Sequence, residues 1–319
     1  MKGIKVFAPA TVANVSCGYD VLGFAVNTPG DEVVMHLNDS GEVSLDVIEG
    51  DEGRLPRDPA KNTVSAVVIN YLNHLGIKQG VSIALYKKMP FGSGLGSSSA
   101  SAVAGLVGIN ELMGKPLTQE QLLPFAMEGE RLACGNAHAD NVAPALLGGL
   151  VLIRSYNPLD VVKLPVPAGL ACALVYPHVE IPTKEARQIL RTHVPLQDAV
   201  TQWGNVAGLV AGFCTNNLDL ISRSMQDVII EPVRAMLIPC FSEMRQLAME
   251  QKALGFGISG SGPSVFSLCS NLDVARNVTA ALTAKLSEAG IDSTAYVSEI
   301  NLQGPQVKHL QPALSKQHP

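Results

Sequence analysis

Eleven consecutive residues, Pro90-Phe91-Gly92-Ser93-Gly94-Leu95-Gly96-Ser97-Ser98-Ser99-Ala100, constrain this chain more than any other stretch. They lie between a strand-like run, 81–86, and a helical run, 98–113, rich in Ala, Ser and Gly. Glycines let backbone N–H groups turn inward and approach a ligand closely. The helix that follows aims its unpaired N–H groups and the positive end of its dipole at the same point. Together these features form a phosphate cradle. The hydroxyls of Ser97, Ser98 and Ser99 add donors, and one of them can ligate Mg²⁺. The loop has no lysine, which separates it from the G-x-x-x-x-G-K-[ST] pattern. A Gly-rich linker or a plain helix cap is the alternative reading.

With 319 residues the chain has room for two domains, and 47% hydrophobic against 16% charged residues describes a well-buried fold. A net charge of −5, 5% aromatics and no Lys/Arg cluster speak against a nucleic-acid partner. No apolar run is long enough for a bilayer, and Pro9 ends the short apolar start, so neither a membrane span nor a leader is expected. Six scattered cysteines without a C-x-x-C pair point to reduced thiols and a cytoplasmic protein.

Patterning predicts strands at 4–8, 32–37 and 43–48, the last two antiparallel across Asp39-Ser40-Gly41. A helix over 63–75 is capped by Asn62, and another starts at Gln119 behind Thr118. The prolines at 158, 165 and 167 suggest a first domain of 1–160 and a second of 161–302. In the second, helices are expected at 184–191, 199–213 and 239–253. The order strand 255–259, strand 264–269, helix 272–289, strand 293–299 then reads as a split β-α-β sandwich. Residues 303–319 read as a loose tail.

Further polar constellations stand out. Gly257-Ile258-Ser259-Gly260-Ser261-Gly262-Pro263-Ser264 is either a hairpin turn or a backbone lying close to another loop. Glu130 is either a solvated helix charge or a metal ligand. His138, Asp140 and Asn141 lead into an apolar stretch, as helix caps or as a polar-substrate site. Asn14-Val15-Ser16-Cys17-Gly18-Tyr19-Asp20 forms a similar polar knot. Arg187 and Arg234 are candidates for bidentate carboxylate binding.

In combination these stretches resemble the GHMP kinase superfamily. Its three signatures occur in order: Ala8-Pro9-Ala10-Thr11-Val12-Ala13-Asn14 with Gly18-Tyr19-Asp20, then 90–100, then 257–264. Within the superfamily the chain is similar to members acting on L-homoserine, through His138-Ala139-Asp140-Asn141-Val142-Ala143-Pro144, Thr183-Lys184-Glu185-Ala186-Arg187 and Ile230-Glu231-Pro232-Val233-Arg234. The resemblance implies an α+β, two-domain GHMP kinase fold. Its N-terminal domain is like the second domain of ribosomal protein S5, and its C-terminal domain is ferredoxin-like. It implies phosphorylation of L-homoserine by ATP with Mg²⁺, a step of threonine biosynthesis, in a protein that is often a homodimer. By position, residues 90–100 would wrap the triphosphate, Ser98 and Glu130 would hold Mg²⁺, and Asn62 with Lys87 would lie near the adenine. Asn14, Asp20, His138, Asp140, Asn141, Thr183 and Gly260 would line the homoserine pocket, with Arg187 and Arg234 on the carboxylate. Asp140 and Asn141 stand nearest the chemistry, with Ser98 and Glu130. No lysine occurs in 8–20, so catalysis by positioning and charge neutralisation is expected. Mevalonate kinase, or a sensor retaining the ATP site, is the competing expectation.

Overall fold

Alternating apolar residues put Ile4, Val6, Ala8 and Val12 into the core and make β1 (Gly3–Ala13) a strand with a buried inner face. The computed structural model describes residues 3–135, 138–181 and 188–311. Strand β1 pairs antiparallel with the long β2 (Leu22–Asn38), with a register shift between Pro9 and Thr11. One end of β2 continues onto β5 (Leu150–Tyr156) and β6 (Leu159–Leu164). Its other end meets β4 (Gly80–Tyr86), and β3 (Val43–Glu49) lies parallel to β4 at the edge. The predicted β2–β3 hairpin is therefore corrected. The local turn exists, with Ser40 N donating to Asn38 Oδ1 at 3.0 Å. The inner seat goes to β4, which buries Val81, Ile83 and Leu85, whereas β3 buries Ile48 alone.

Three helices pack on this sheet, α1 (Thr63–His74), α2 (Ser97–Leu112) and α4 (Ala139–Leu147), and α3 (Gln119–Cys134) packs against all three. Asn62 caps α1 by accepting from Val64 N, as expected. Small residues let α2 run through the centre of the layer, and the Tyr71 hydroxyl donates to Asn110 Oδ1 at 2.9 Å to join α1 to α2.

The second sheet has the order β10 (Ser293–Glu299), β7 (Ala171–Pro177), β9 (Val265–Cys269), β8 (Gly255–Ile258), all antiparallel. In chain order this is 4-1-3-2, the ferredoxin-like arrangement. The alternation of β7 explains its central place. Cys172 and Leu174 join the first core with α5 (Leu196–Cys214) and α6 (Leu218–Ser224). Ala173 and Val175 face the second core with α8 (Phe241–Glu250) and α9 (Leu272–Glu288). Phe24 and Phe266 meet edge to face at 6.0 Å and join the two units. A short α7 (Glu231–Arg234) precedes α8.

Two further expectations change. A boundary at 160 would cut β6; Asn157-Pro158 turns the β5–β6 hairpin, which runs on to Leu164. The tail is not loose as far as Leu310: β11 (Gln306–Leu310) pairs antiparallel with β1 and returns the chain to the first sheet. Residues 184–187 of the helix expected at 184–191 lie outside the described residues, and the described remainder is helical only at Gln188 before a turn.

Three buried thiols bear on alkaline stability. Burial, with Asp227 adding to it, pushes the Cys17 thiol from 9.0 up to about 12. Burial also lifts Cys269 to about 12 and Cys172 well above its ordinary value. An unfolded thiol ionises first, so the unfolded state binds fewer protons across this window and stability falls as pH rises. The expected slope is about 1.4 kcal/mol per pH unit for each of Cys17 and Cys269 between about pH 9 and 12, and Cys172 adds in the same direction. Urea unfolding across that range checks it, and Cys269→Val should flatten the slope by one thiol's share. A stability independent of pH there contradicts the assignment.

Candidate active site

Gly92, Gly94 and Gly96 all adopt left-handed φ, +62°, +80° and +70°, and fold residues 90–96 back over the start of α2. The last of them is the N-cap of α2, and with no side chain to offer it leaves the first-turn N–H groups open. These residues line a cavity of about 720 Å³, large enough for a nucleotide and a small second substrate. Gly94 has a further reason to lack a side chain. A Cβ there would stand 2.4 Å from Ser259 O and 2.9 Å from Gly262 O. The 257–264 loop is thus both the β8–β9 turn and a close-lying brace. Ser259 Oγ donates to Gly94 O at 2.8 Å, and Ser264 N donates to Ser93 O at 3.1 Å. From the other side, Thr11 N donates to Leu95 O at 3.1 Å. The three spaced motifs therefore converge on one loop.

Ser98 and Glu130, 32 positions apart, meet here. Ser98 Oγ donates to Glu130 Oε2 at 3.0 Å, and Ser99 Oγ donates to the same atom at 2.6 Å. A hydroxyl and a carboxylate beside a phosphate cradle are the hard oxygen donors that Mg²⁺ takes, so the pair fits that ion. Helical periodicity turns Ser99 and Ala100 into the core. Both are absent from the cavity wall, so of the stretch 90–100 only residues 90–98 line the cavity.

Lys87 lines the cavity, but its ammonium is fully engaged. It pairs with Asp31 Oδ2 and donates to Ser97 O at 2.9 Å and to Ser101 Oγ at 2.8 Å. Burial lowers its pKa and the Asp31 charge opposes that shift. Asp31 also accepts from Ser97 Oγ, Lys88 N and Met89 N. This buried pair fastens the first turn of α2 to the sheet and commits the Lys87 ammonium to that task. Asn62 stays on the cavity wall, where its Nδ2 donates to Pro56 O at 2.9 Å and holds the Leu55-Pro56 wall.

The other end of the cavity is polar. Asn14, Val15 and Ser16 have φ of +73°, +42° and +61°, a costly run for residues with a Cβ, and Asp20 follows at +59°. Asn14 Oδ1 accepts from Asp20 N, and Asn14 Nδ2 donates to Gly260 O at 2.7 Å. Asp20, His138 and Asp140 cluster with their ligand atoms within 4.8 Å of one another. His138 is the N-cap of α4 and Asp140 lies in its first turn, buried at the wall. Asn141 Oδ1 accepts from Thr11 Oγ1 at 2.7 Å, which fixes its amide. Arg234 is only 3% exposed; it donates to Gly260 O at 3.1 Å, and its guanidinium stacks 5.1 Å from the Tyr19 ring. Asn14, Asp20, His138, Asp140, Asn141, Arg234 and Gly260 are thus brought together, while Thr183 and Arg187 lie outside the described residues.

Sequence reasoning missed Asp31 and Tyr156, whose hydroxyl donates to Asp20 O at 2.8 Å. Neither carries a local signal; each gains its place by pairing across the fold. Thr11 stood in the first signature but was given no role.

A phosphate cradle with a metal-competent pair at one end of a cleft, and side chains of both charges at the other, define the makings of a small-molecule phosphotransferase. The family described as GHMP kinases N terminal domain matches residues 62–149, and that described as GHMP kinases C terminal matches 209–288. Homoserine kinase of Chlorobaculum tepidum is 48% identical, over 96% of this chain and 98% of its own length. Homoserine kinase of Xylella fastidiosa is 36% identical over 95% of this chain and 93% of its own. The crystal structure of homoserine kinase from Cytophaga hutchinsonii superposes with TM-score 0.94 at 58% identity, covering 96% and 97% of the two chains. The mevalonate kinase of L. major shares the fold at TM-score 0.71 and 17% identity, over 93% of this chain and 96% of its own. The chain belongs to the GHMP kinases and, within them, to the homoserine kinase family.

Proposed function

We propose that the protein transfers the γ-phosphoryl group of Mg-ATP to the side-chain hydroxyl of L-homoserine, giving ADP and O-phospho-L-homoserine for threonine synthesis. The observation that carries this reading is the two-ended cleft, with the open N-terminus of α2 at one end and Arg234 with Asp20, His138 and Asp140 at the other. Homoserine is a zwitterion, so its pocket must offer both charges. Arg234 suits the carboxylate, and Asp20 or Asp140 suits the ammonium. Residues 90–98 receive the triphosphate, and Leu55, Pro56, Asn62 and Phe91 flank the base. Mg²⁺ held by Ser98 and Glu130 would neutralise charge on the β- and γ-phosphates. The chain's own residues hold the hydroxyl in line, with Asn141 fixed by Thr11 as its orienter. The proton then passes to the phosphate or to water. A coupled ADP assay over homoserine, mevalonate, threonine and sugars tests the substrate, and homoserine should give the highest kcat/KM.

On this reading Asp140 binds and orients. Asp140→Asn is expected to lower kcat by no more than about 10²-fold, the low end of general-base effects. A fall of about 10⁴-fold with homoserine binding intact would make Asp140 the base.

Cys17, Cys172, Cys214, Cys240 and Cys269 are free and, among the described residues, no helix is long and apolar enough to cross a membrane. We assign the protein to the cytoplasm on the thiols. We also propose a homodimer, supported by an exposed apolar stripe on α5, Leu196, Val200 and Trp203, at one-turn spacing. Light scattering reads that state.

A further inference from the structure

Two polar side chains outside the cavity wall tie together the two sides of the amino-acid end. Gln202, in α5, is 8% exposed. Its Nε2 donates to Cys17 O at 2.8 Å and to Asp227 Oδ1 at 3.0 Å, and its Oε1 accepts from Val228 N at 3.0 Å. Both donors of the amide and one lone pair of its oxygen are used. Asp227 Oδ1 also accepts from Ile229 N and Ile230 N, both at 2.9 Å, and Oδ2 accepts from Glu231 N at 3.0 Å. That carboxylate thereby shapes the turn into α7, which delivers Arg234 to the pocket. Cys17, at the other end of the bridge, closes the left-handed run that presents Asn14, Tyr19 and Asp20.

The two walls also meet at the rim, where Asn14 and Arg234 share Gly260 O. Gln202 and Asp227 complete the frame at its base. Burial holds the Asp227 carboxyl above its usual range, opposed by its backbone hydrogen bonds. A group retained there against desolvation has a geometric task.

We propose that Gln202 and Asp227 are positioning residues that set the separation between the Arg234 wall and the Asn14–Asp20 wall, and so tune the pocket to an α-amino-acid zwitterion. The proposal rests on the homoserine reading above. Neither residue touches the nucleotide end, so the effect belongs in amino-acid recognition alone.

The test is steady-state kinetics of Gln202→Leu, which keeps the side chain's bulk and removes all three hydrogen bonds. Homoserine KM should rise about tenfold or more, while ATP KM and kcat stay within about threefold. An unmoved homoserine KM, or equal rises in both KM values, overturns the proposal. If Gln202→Leu fails to fold, Asp227→Asn carries the same test with the same split and a smaller rise. Wild-type protein run alongside separates the two levels of argument. Homoserine-dependent ADP release with an unmoved KM ratio in the variants overturns the positioning role alone. Absence of that release in the wild type overturns the homoserine reading and this proposal with it.

Discussion

Replacing Glu130 with alanine should lower kcat for homoserine-dependent ADP release by about 10³-fold, the scale of losing one preorganised charge-stabilising group. Glu130 is buried on α3 and faces two hydroxyls of the α2 first turn through one oxygen, Oε2. Magnesium takes few protein oxygens and leaves the rest of its shell to phosphate and water, so each protein ligand counts heavily. Glu130→Gln provides the control. It keeps an acceptor for Ser98 and Ser99 and so preserves the local hydrogen bonds, but it removes the negative charge. Activity should fall nearly as far as in the alanine variant, with the melting temperature close to wild type, and saturating Mg²⁺ should recover part of the loss. An unchanged kcat in either variant removes Glu130 from the site.

Arg234→Ala should raise homoserine KM by about 10²-fold, as expected for a charge-assisted, desolvated carboxylate contact worth up to about 3 kcal/mol. ATP KM should stay within about threefold, because the side chain lies at the end of the cleft away from the α2 N-terminus. The guanidinium is held by Gly260 O and the Tyr19 ring. Arg234→Lys therefore should not restore affinity fully: a point charge neither stacks nor forks in the same way. Isothermal titration of homoserine into each variant reads binding apart from chemistry. Equal effects on both KM values contradict the carboxylate role.

The phosphate end was legible in the sequence because its physics is local. Three glycines, a helix start and a serine cluster specify backbone direction and dipole within about ten residues. Asn62 as a cap, and the strand–strand–helix–strand order after Gly255, were legible for the same reason. What escaped depends on contacts across the fold. Asp31 stands beside Glu32 at the edge of an apolar run, and an exposed surface position is the default reading for such acids. Only the pairing of β2 with β4 sets it against Lys87 and beneath Ser97. That arrangement also engages the lysine that was expected at the adenine. The β3 placement was missed because a turn signal marks a reversal without naming the partner that the next strand takes. β11 is polar and half-exposed, with no apolar alternation to announce it, and it is held by the open edge of β1. The pairing of Gln202 with Asp227 spans 25 positions through a buried amide, which no periodicity reveals.

Phosphorus NMR of the protein mixed with Mg-ATP and L-homoserine tests the central claim most directly. The γ-phosphate signal should decay as a phosphomonoester signal grows in equal amount, with ADP alongside, and mevalonate or galactose in place of homoserine should give far less. Growth of inorganic phosphate alone, or faster ester formation on mevalonate or galactose, would contradict the assignment of the charged end of the cleft to homoserine.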